Sequence, residues 1–111
     1  MKHTVDDIRR ALSAEVLCLP DGSAVTEGVY VGDLLSWVMS HASKNMLWVT
    51  IMSNMNVIAV ASLVGIPCVI IADGASVSED VVSSAKAKGI NLLRTADSAY
   101  GVCAALAALF G

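Results

Sequence analysis

Three short polar stretches carry the residue types and spacing from which a binding site could be built. Ser53-Asn54-Met55-Asn56, Ala72-Asp73-Gly74-Ala75-Ser76 and Thr95-Ala96-Asp97-Ser98 each follow an apolar run and lead into a segment with helical spacing. If the apolar runs are neighbouring parallel strands, the three stretches gather outside their carboxyl ends, where open α/β sheets bind ligands. Each would join small hydroxyl or amide side chains to a helix N-terminus, whose unpaired N–H groups and dipole favour a polar or anionic ligand. The candidate ligand-binding residues are Ser53, Asn54, Asn56, Asp73, Gly74, Thr95 and Asp97. In that arrangement Asp73 accepts hydrogen bonds, and the amides of Asn54 and Asn56 donate them. A carboxylate in such a place suits sugar hydroxyls, amines or a base edge better than a phosphate. The plainer alternative is that these residues only cap helices, which Ser, Thr, Asn and Asp do regardless of function. Asp73 separates the two readings best, because it precedes the expected caps Ser76 and Ser78 and the helix does not need it; a simple Asp73-Gly74 turn is its competing role.

Catalysis lacks its parts. His3 sits at the start of the chain and His41 near the end of an expected helix, beside Ser40 and Ser43. Asp21, Asp33, Asp73 and Asp97 fall in turns or caps, without the paired spacing of an acid–base couple. No GxSxG, HExxH or Walker A pattern occurs, and Gly22, Gly28 and Gly32 do not make a phosphate loop. A transferase or hydrolase would need folding to bring Cys68 beside His41. No metal or catalytic residue is assigned, and no cofactor is indicated. Arg94, closing a strand just before Thr95, could reach an anion over the sheet edge, with a salt bridge to a nearby acid as the favoured reading. Trp37 and Trp48 read as core, and Met46, Met52 and Met55 as fillers of gaps in it.

The elements that must position the polar stretches follow from the apolar periodicity. Thr4 and Asp7 form a capping-box pattern ahead of Val5, Ile8 and Leu12, so a short first helix is expected. Residues 14–19 read as a strand closed by Pro20-Asp21-Gly22, and residues 27–31 as a second strand. Asp33 is the expected N-cap of a helix to about His41, burying Leu34, Leu35, Trp37 and Val38. Strands over 46–52, 68–72 and 90–94 then alternate with helices over 54–64, 78–88 and 97–110. Strands apolar on both faces and joined by helices imply a parallel sheet covered on both sides. The fold class expected is a layered α/β/α domain with a mostly parallel central sheet, mixed by the earlier strands, forming one domain over residues 1–111.

The chain has 111 residues, of which 56% are apolar and 15% charged, with a mean hydropathy of +0.70. That is greasier than an ordinary soluble monomer. The helix over 97–110 is apolar nearly all round, so a homodimer is expected to cover it. Residues 45–72 carry no charge, but their Ser, Asn, Gly and Pro break the run into strand, turn and helix; no membrane span is assigned. The N-terminal residues lack the apolar core of a signal peptide, so a cytoplasmic location is expected. Cys18, Cys68 and Cys103 are widely spaced among apolar neighbours, as buried thiols in a reducing compartment would be. A net charge of −3 with scattered basic residues argues against nucleic acid and anionic membranes as partners.

The order of these elements is similar to that of the DRTGG domain, the module also found at the N-terminus of HPr kinase/phosphorylase. The likeness is carried by Val31-Gly32-Asp33, by Leu47-Trp48-Val49-Thr50-Ile51 leading into Ser53-Asn54-Met55-Asn56, and by Val69-Ile70-Ile71-Ala72-Asp73-Gly74. Where the family writes Asp-Arg this chain has Ser53-Asn54, and where it writes Thr-Gly-Gly it has Ala72-Asp73-Gly74, so only Gly74 is kept. Losing the arginine removes a fork-shaped anion contact. The resemblance implies an HPr kinase N-terminal-domain-like fold and a non-catalytic regulatory or sensing module; the small polar ligand is the reading of the three polar stretches themselves. It also implies an alternative, in which the chain is an assembly partner of a redox enzyme such as an iron-only hydrogenase system and binds no small molecule.

Overall fold

A computed structural model describes residues 2–110. Strand β1 (His3–Thr4) runs directly into helix α1 (Val5–Leu12). The Asp7 N–H donates to the Thr4 hydroxyl at 3.2 Å and the Thr4 N–H to the Asp7 carboxylate at 3.0 Å, completing the expected capping box. Next come β2 (Glu15–Cys18), β3 (Val25–Thr26), β4 (Gly28–Val31) and α2 (Leu35–His41). From there strand and helix alternate: β5 (Met46–Thr50), α3 (Met55–Val64), β6 (Cys68–Ile71), α4 (Glu79–Ala87), β7 (Asn91–Arg94) and α5 (Ala99–Phe110). The α3 end is set by Gly65, whose φ of +88° closes the last turn through a 3.0 Å bond from its N–H to the Ala61 carbonyl.

Five strands form one sheet in the order β2-β7-β6-β5-β4. β4 to β7 are mutually parallel, and β2 adds antiparallel beyond β7. β1 and β3 pair separately as a small antiparallel ribbon. Each crossover advances by one strand, so α2, α3 and α4 all lie on one face, as successive connections of one hand require. There Val38, Ile58, Ala61, Val81 and Ala85 pack on Trp48, Val69, Ile71 and Leu92. The other face is covered by α1 and α5, whose Val5, Ile8, Leu12, Val102 and Leu106 pack on Leu47, Val49, Cys68, Ile70 and Leu93. Along β5, residues 47, 48 and 49 therefore alternate between the two cores, and the strand reads as a continuous apolar run. The layered α/β/α reading with a mostly parallel sheet holds. No helix among the described residues is long and apolar enough to cross a membrane.

Helix α2 departs from expectation in two ways. Asp33 does not cap it; the cap position is Leu34, with no side-chain bond. The Asp33 carboxylate instead accepts from the Thr50 hydroxyl at 2.7 Å and the Ile51 N–H at 3.0 Å. These are donors at the end of β5, where the ladder has run out. Of the four apolar residues expected to be buried, only Val38 is; Leu34 and Trp37 are 60% and 56% exposed. α2 follows the edge strand, where the sheet offers little to cover. Trp37 is thus not core: it stacks on His41 with ring centroids 4.5 Å apart. Trp48 is fully buried and donates to the Gly32 carbonyl at 2.9 Å. Among the methionines, Met46 and Met52 are partly buried while Met55 is exposed.

Candidate functional site

The polar stretches do gather on one rim, at the carboxyl ends of β5, β6 and β7. Their shapes follow from local chemistry. Asn54 caps α3, its Oδ1 accepting from the Asn56 N–H at 3.0 Å, so its oxygen is committed and its amide NH2 is left over. Asn56 lies exposed in the first turn of α3. Ser78 caps α4, accepting from the Val81 N–H at 3.4 Å. Thr95 Oγ1 accepts from the Asp97 N–H at 3.2 Å, and the Ser98 hydroxyl accepts from the Gly101 N–H at 3.1 Å. The last helix accordingly starts at Ala99, capped by Ser98, rather than at Asp97.

Asp73 and Gly74 both adopt left-handed backbone, with φ of 59° and 61°. Glycine reaches that region without cost, and aspartate is among the few other residues that enter it. The turn aims two successive N–H groups at the neighbouring loop. Asp73 donates to the Asp97 carbonyl at 2.7 Å, and Gly74 to the Thr95 carbonyl at 2.8 Å. The loops after β6 and β7 are thereby fastened to each other through backbone alone. The Asp73 carboxylate, which the turn does not use, stays exposed.

This fastening divides the seven sequence candidates. Ser53 and Asn54 line a depression of about 490 Å³ between the starts of α3 and α4, facing Ser76, Ser78 and Asp80. Gly74, Thr95 and Asp97 line a second, of about 550 Å³, together with Ser13, Glu15 and Arg94. Asp73 stands on the turn that supplies Gly74 to the second, and Asn56 is in the lining of neither. Sequence reasoning missed Ser13, Glu15, Asp80 and the rim role of Asp33. Glu15 meets Arg94 only because β2 pairs antiparallel with β7, and that register has no signature in the residues themselves.

The guanidinium of Arg94 is held two-pronged, Nε to Glu15 Oε1 at 2.9 Å and one terminal nitrogen to Oε2 at 3.1 Å. The first depression holds Asp80, and α4 begins with Glu79 and Asp80, whose charge answers the positive end of the helix dipole. Both depressions are therefore set up for hydroxyls, amides and amines more than for a bare phosphate.

Cys68 and His41 are not brought together. Cys68 is fully buried in the core beneath α1 and α5, and burial pushes its thiol well above the ordinary range. His41 lies exposed at the end of α2 on the opposite face, its Nδ1 within 3.0 Å of the Trp37 carbonyl. No cluster of three or more His, Cys, Asp or Glu among the described residues could hold a metal ion.

The sequence profile of the DRTGG domain matches residues 7–109. The chain belongs to the DRTGG domain family. Its fold is similar to that of a solved structure, the CBS and DRTGG domains of the regulatory region of Clostridium perfringens pyrophosphatase, complexed with its activator, diadenosine tetraphosphate. The TM-score is 0.78 at 18% identity, over 93% of this chain and 45% of that one. The DRTGG domain described here thus spans less than half of that regulatory region, and the likeness is one of fold. Among curated proteins no sequence match is found. This DRTGG domain carries Ser53-Asn54 and Ala72-Asp73-Gly74 on its rim.

Proposed function

We propose that this DRTGG domain is a non-catalytic regulatory module that works as a homodimer and binds a small polar ligand at the carboxyl edge of its sheet. The observation that carries the reading is the Asp73 turn: its structural work is done by backbone, and its carboxylate is left exposed on the rim. Beside it lies the depression formed by Gly74, Thr95 and Asp97. The setting of the DRTGG domain in the pyrophosphatase, within a regulatory region crystallised with a nucleotide activator, supports a sensing role. The ligand offers hydroxyls, an amine or a base edge to Asp73, and Asn54 and Asn56 supply donors where it extends toward α3.

A thermal-shift screen of nucleosides, nucleotides, sugars and amines tests this. A ligand at a hundred times its dissociation constant adds about 2.7 kcal/mol to stability, a shift of roughly 10 °C in a domain of this size. Asp73→Asn keeps a residue suited to the left-handed turn while removing the charge, and it should abolish the shift without lowering the unliganded melting point. If no compound shifts the wild type, the ligand reading fails. The exposed Leu34, Trp37 and Tyr100 would then favour an assembly role beside a larger enzyme, redox systems included.

A further inference from the structure

We propose that the second copy joins through strand β4, edge to edge and antiparallel, so that two five-stranded sheets become one and the two α5 helices pack across the twofold axis. This rests on the homodimer reading above and names its interface. β4 is the last strand of the sheet, with a partner on one side only. Its register with β5 pairs Val29 with Leu47 and Val31 with Val49, and the Gly32 N–H donates to the Val49 carbonyl. In a parallel ladder that pattern turns the even residues of β4 toward β5. The N–H and C=O groups of Val29 and Val31 therefore point outward, without a backbone partner among the described residues. Such an edge is a template for another strand.

The edge is self-complementary in one register. Pairing Val29 with the second copy's Val31, and the reverse, forms four hydrogen bonds with Tyr30 on the axis. Centring on Val29 would bring Glu27 into the ladder, but the Glu27 N–H is already committed to the Asn45 carbonyl at 2.8 Å. Centring on Val31 would bring in Asp33, which lies beyond the end of β4 at Val31.

The helix layer fits the same operation. α5 packs over both β4 and β5. With strands about 4.8 Å apart, a helix seated midway between them lies about 5 Å from the axis. Two such helices stand about 10 Å apart, within reach of the 8–10 Å typical of packed helices. The flank of α5 beside β4 carries Cys103, Ala107 and Phe110, one helical face, bordering a groove of about 320 Å³ with Val29 and Val31. Small residues at 103 and 107 allow that approach, and the packing covers apolar surface that the monomer leaves open.

The full chain is tested by sedimentation velocity from about 1 to 100 μM. The wild type should run at twice its chain mass of 11.5 kDa. Ala107→Glu, at an exposed position, should weaken association at least tenfold while the melting curve stays cooperative. Tyr30→Cys should form a covalent dimer on mild oxidation, because a non-hydrogen-bonded pair on the axis sets its Cα atoms about 4.5 Å apart, within disulfide range. Should Tyr30→Cys fail to fold, Ala107→Glu decides alone. A dimer that Ala107→Glu leaves intact overturns this interface and keeps the homodimer; a wild type that is monomeric throughout overturns both.

Discussion

Asn91 offers the sharpest test of how the sheet is held. It begins β7, is 1% exposed, and is with Thr26 and Thr50 one of three buried polar residues among those described. Its Nδ2 donates to the Asp21 carbonyl at 2.8 Å and the Pro67 carbonyl at 2.9 Å, and its Oδ1 accepts from the Asp21 N–H at 3.0 Å. One side chain thereby ties the turn after β2 to the approach to β6, at the end of the sheet away from the rim. Asn91→Leu fills similar volume and removes all three bonds. At about 0.5–1.5 kcal/mol net for each bond, the loss should be about 2–4 kcal/mol, a large share of the 5–15 kcal/mol typical of a domain. For a chain of this length that lowers the melting point by roughly 10 °C. Urea unfolding should show the midpoint falling with an unchanged slope. Asn91→Asp sets a carboxylate against two carbonyl oxygens and should be worse still at pH 7. A loss below about 0.5 kcal/mol for Asn91→Leu would refute the clamp, since it would mean that those backbone groups find equal partners elsewhere.

Three further outcomes follow from particular contacts. Asp33→Ser, an equally good helix cap, should destabilise the domain by about 1 kcal/mol in urea, because serine is too short to reach both the Thr50 hydroxyl and the Ile51 N–H; no loss would restore Asp33 to the capping role. The Thr4 N–H, and then its hydroxyl, hold the Asp7 carboxyl below its ordinary 3.8. A folded value depressed in this way adds stability that is full above the unfolded value and is lost as pH falls through the folded one, so an NMR titration should find Asp7 moving upward in Thr4→Val. Native alkylation should spare the buried Cys18 and Cys68 and reach the half-buried Cys103 slowly; rapid modification of Cys68 would contradict its packing.

What could be read in the residues beforehand was whatever depends on near neighbours in sequence. The Thr4–Asp7 box, the Asn54 and Ser78 caps and the Gly65 stop are all written within four residues of where they act. The apolar runs of β5 and β6 likewise announced strands covered on both faces. Asp33 was misread because its donors, Thr50 and Ile51, lie on the next strand, and local capping preference was the only signal within reach. Trp37 was misplaced in the core because helical spacing identifies an apolar stripe but not whether the sheet beneath extends far enough to bury it. Asn91 and the Glu15–Arg94 pair depend on strand order, which the residues leave open until β2 is placed beside β7. The three polar stretches were legible as corners, since each joins an apolar strand to a helix. Their division into two depressions was not, because the bonds that divide them come from backbone groups every residue possesses.

That division has a topological origin. In an open α/β sheet a crevice forms where adjacent strands send the chain to opposite faces. Here the place is between β6, which leads to α4 on one face, and β7, which leads to α5 on the other. The crevice is bridged by the Asp73 and Gly74 N–H groups reaching the carbonyls of Asp97 and Thr95. Space remains to either side of the bridge rather than above it, toward α3 and α4 in one direction and toward β2 in the other. The first bridging position needs a left-handed backbone, which favours glycine and, among residues with a side chain, asparagine and aspartate. Glycine would bridge equally well. Aspartate therefore adds to the rim a charge that the corner itself does not require, and that surplus is the physical ground for seeking a ligand there.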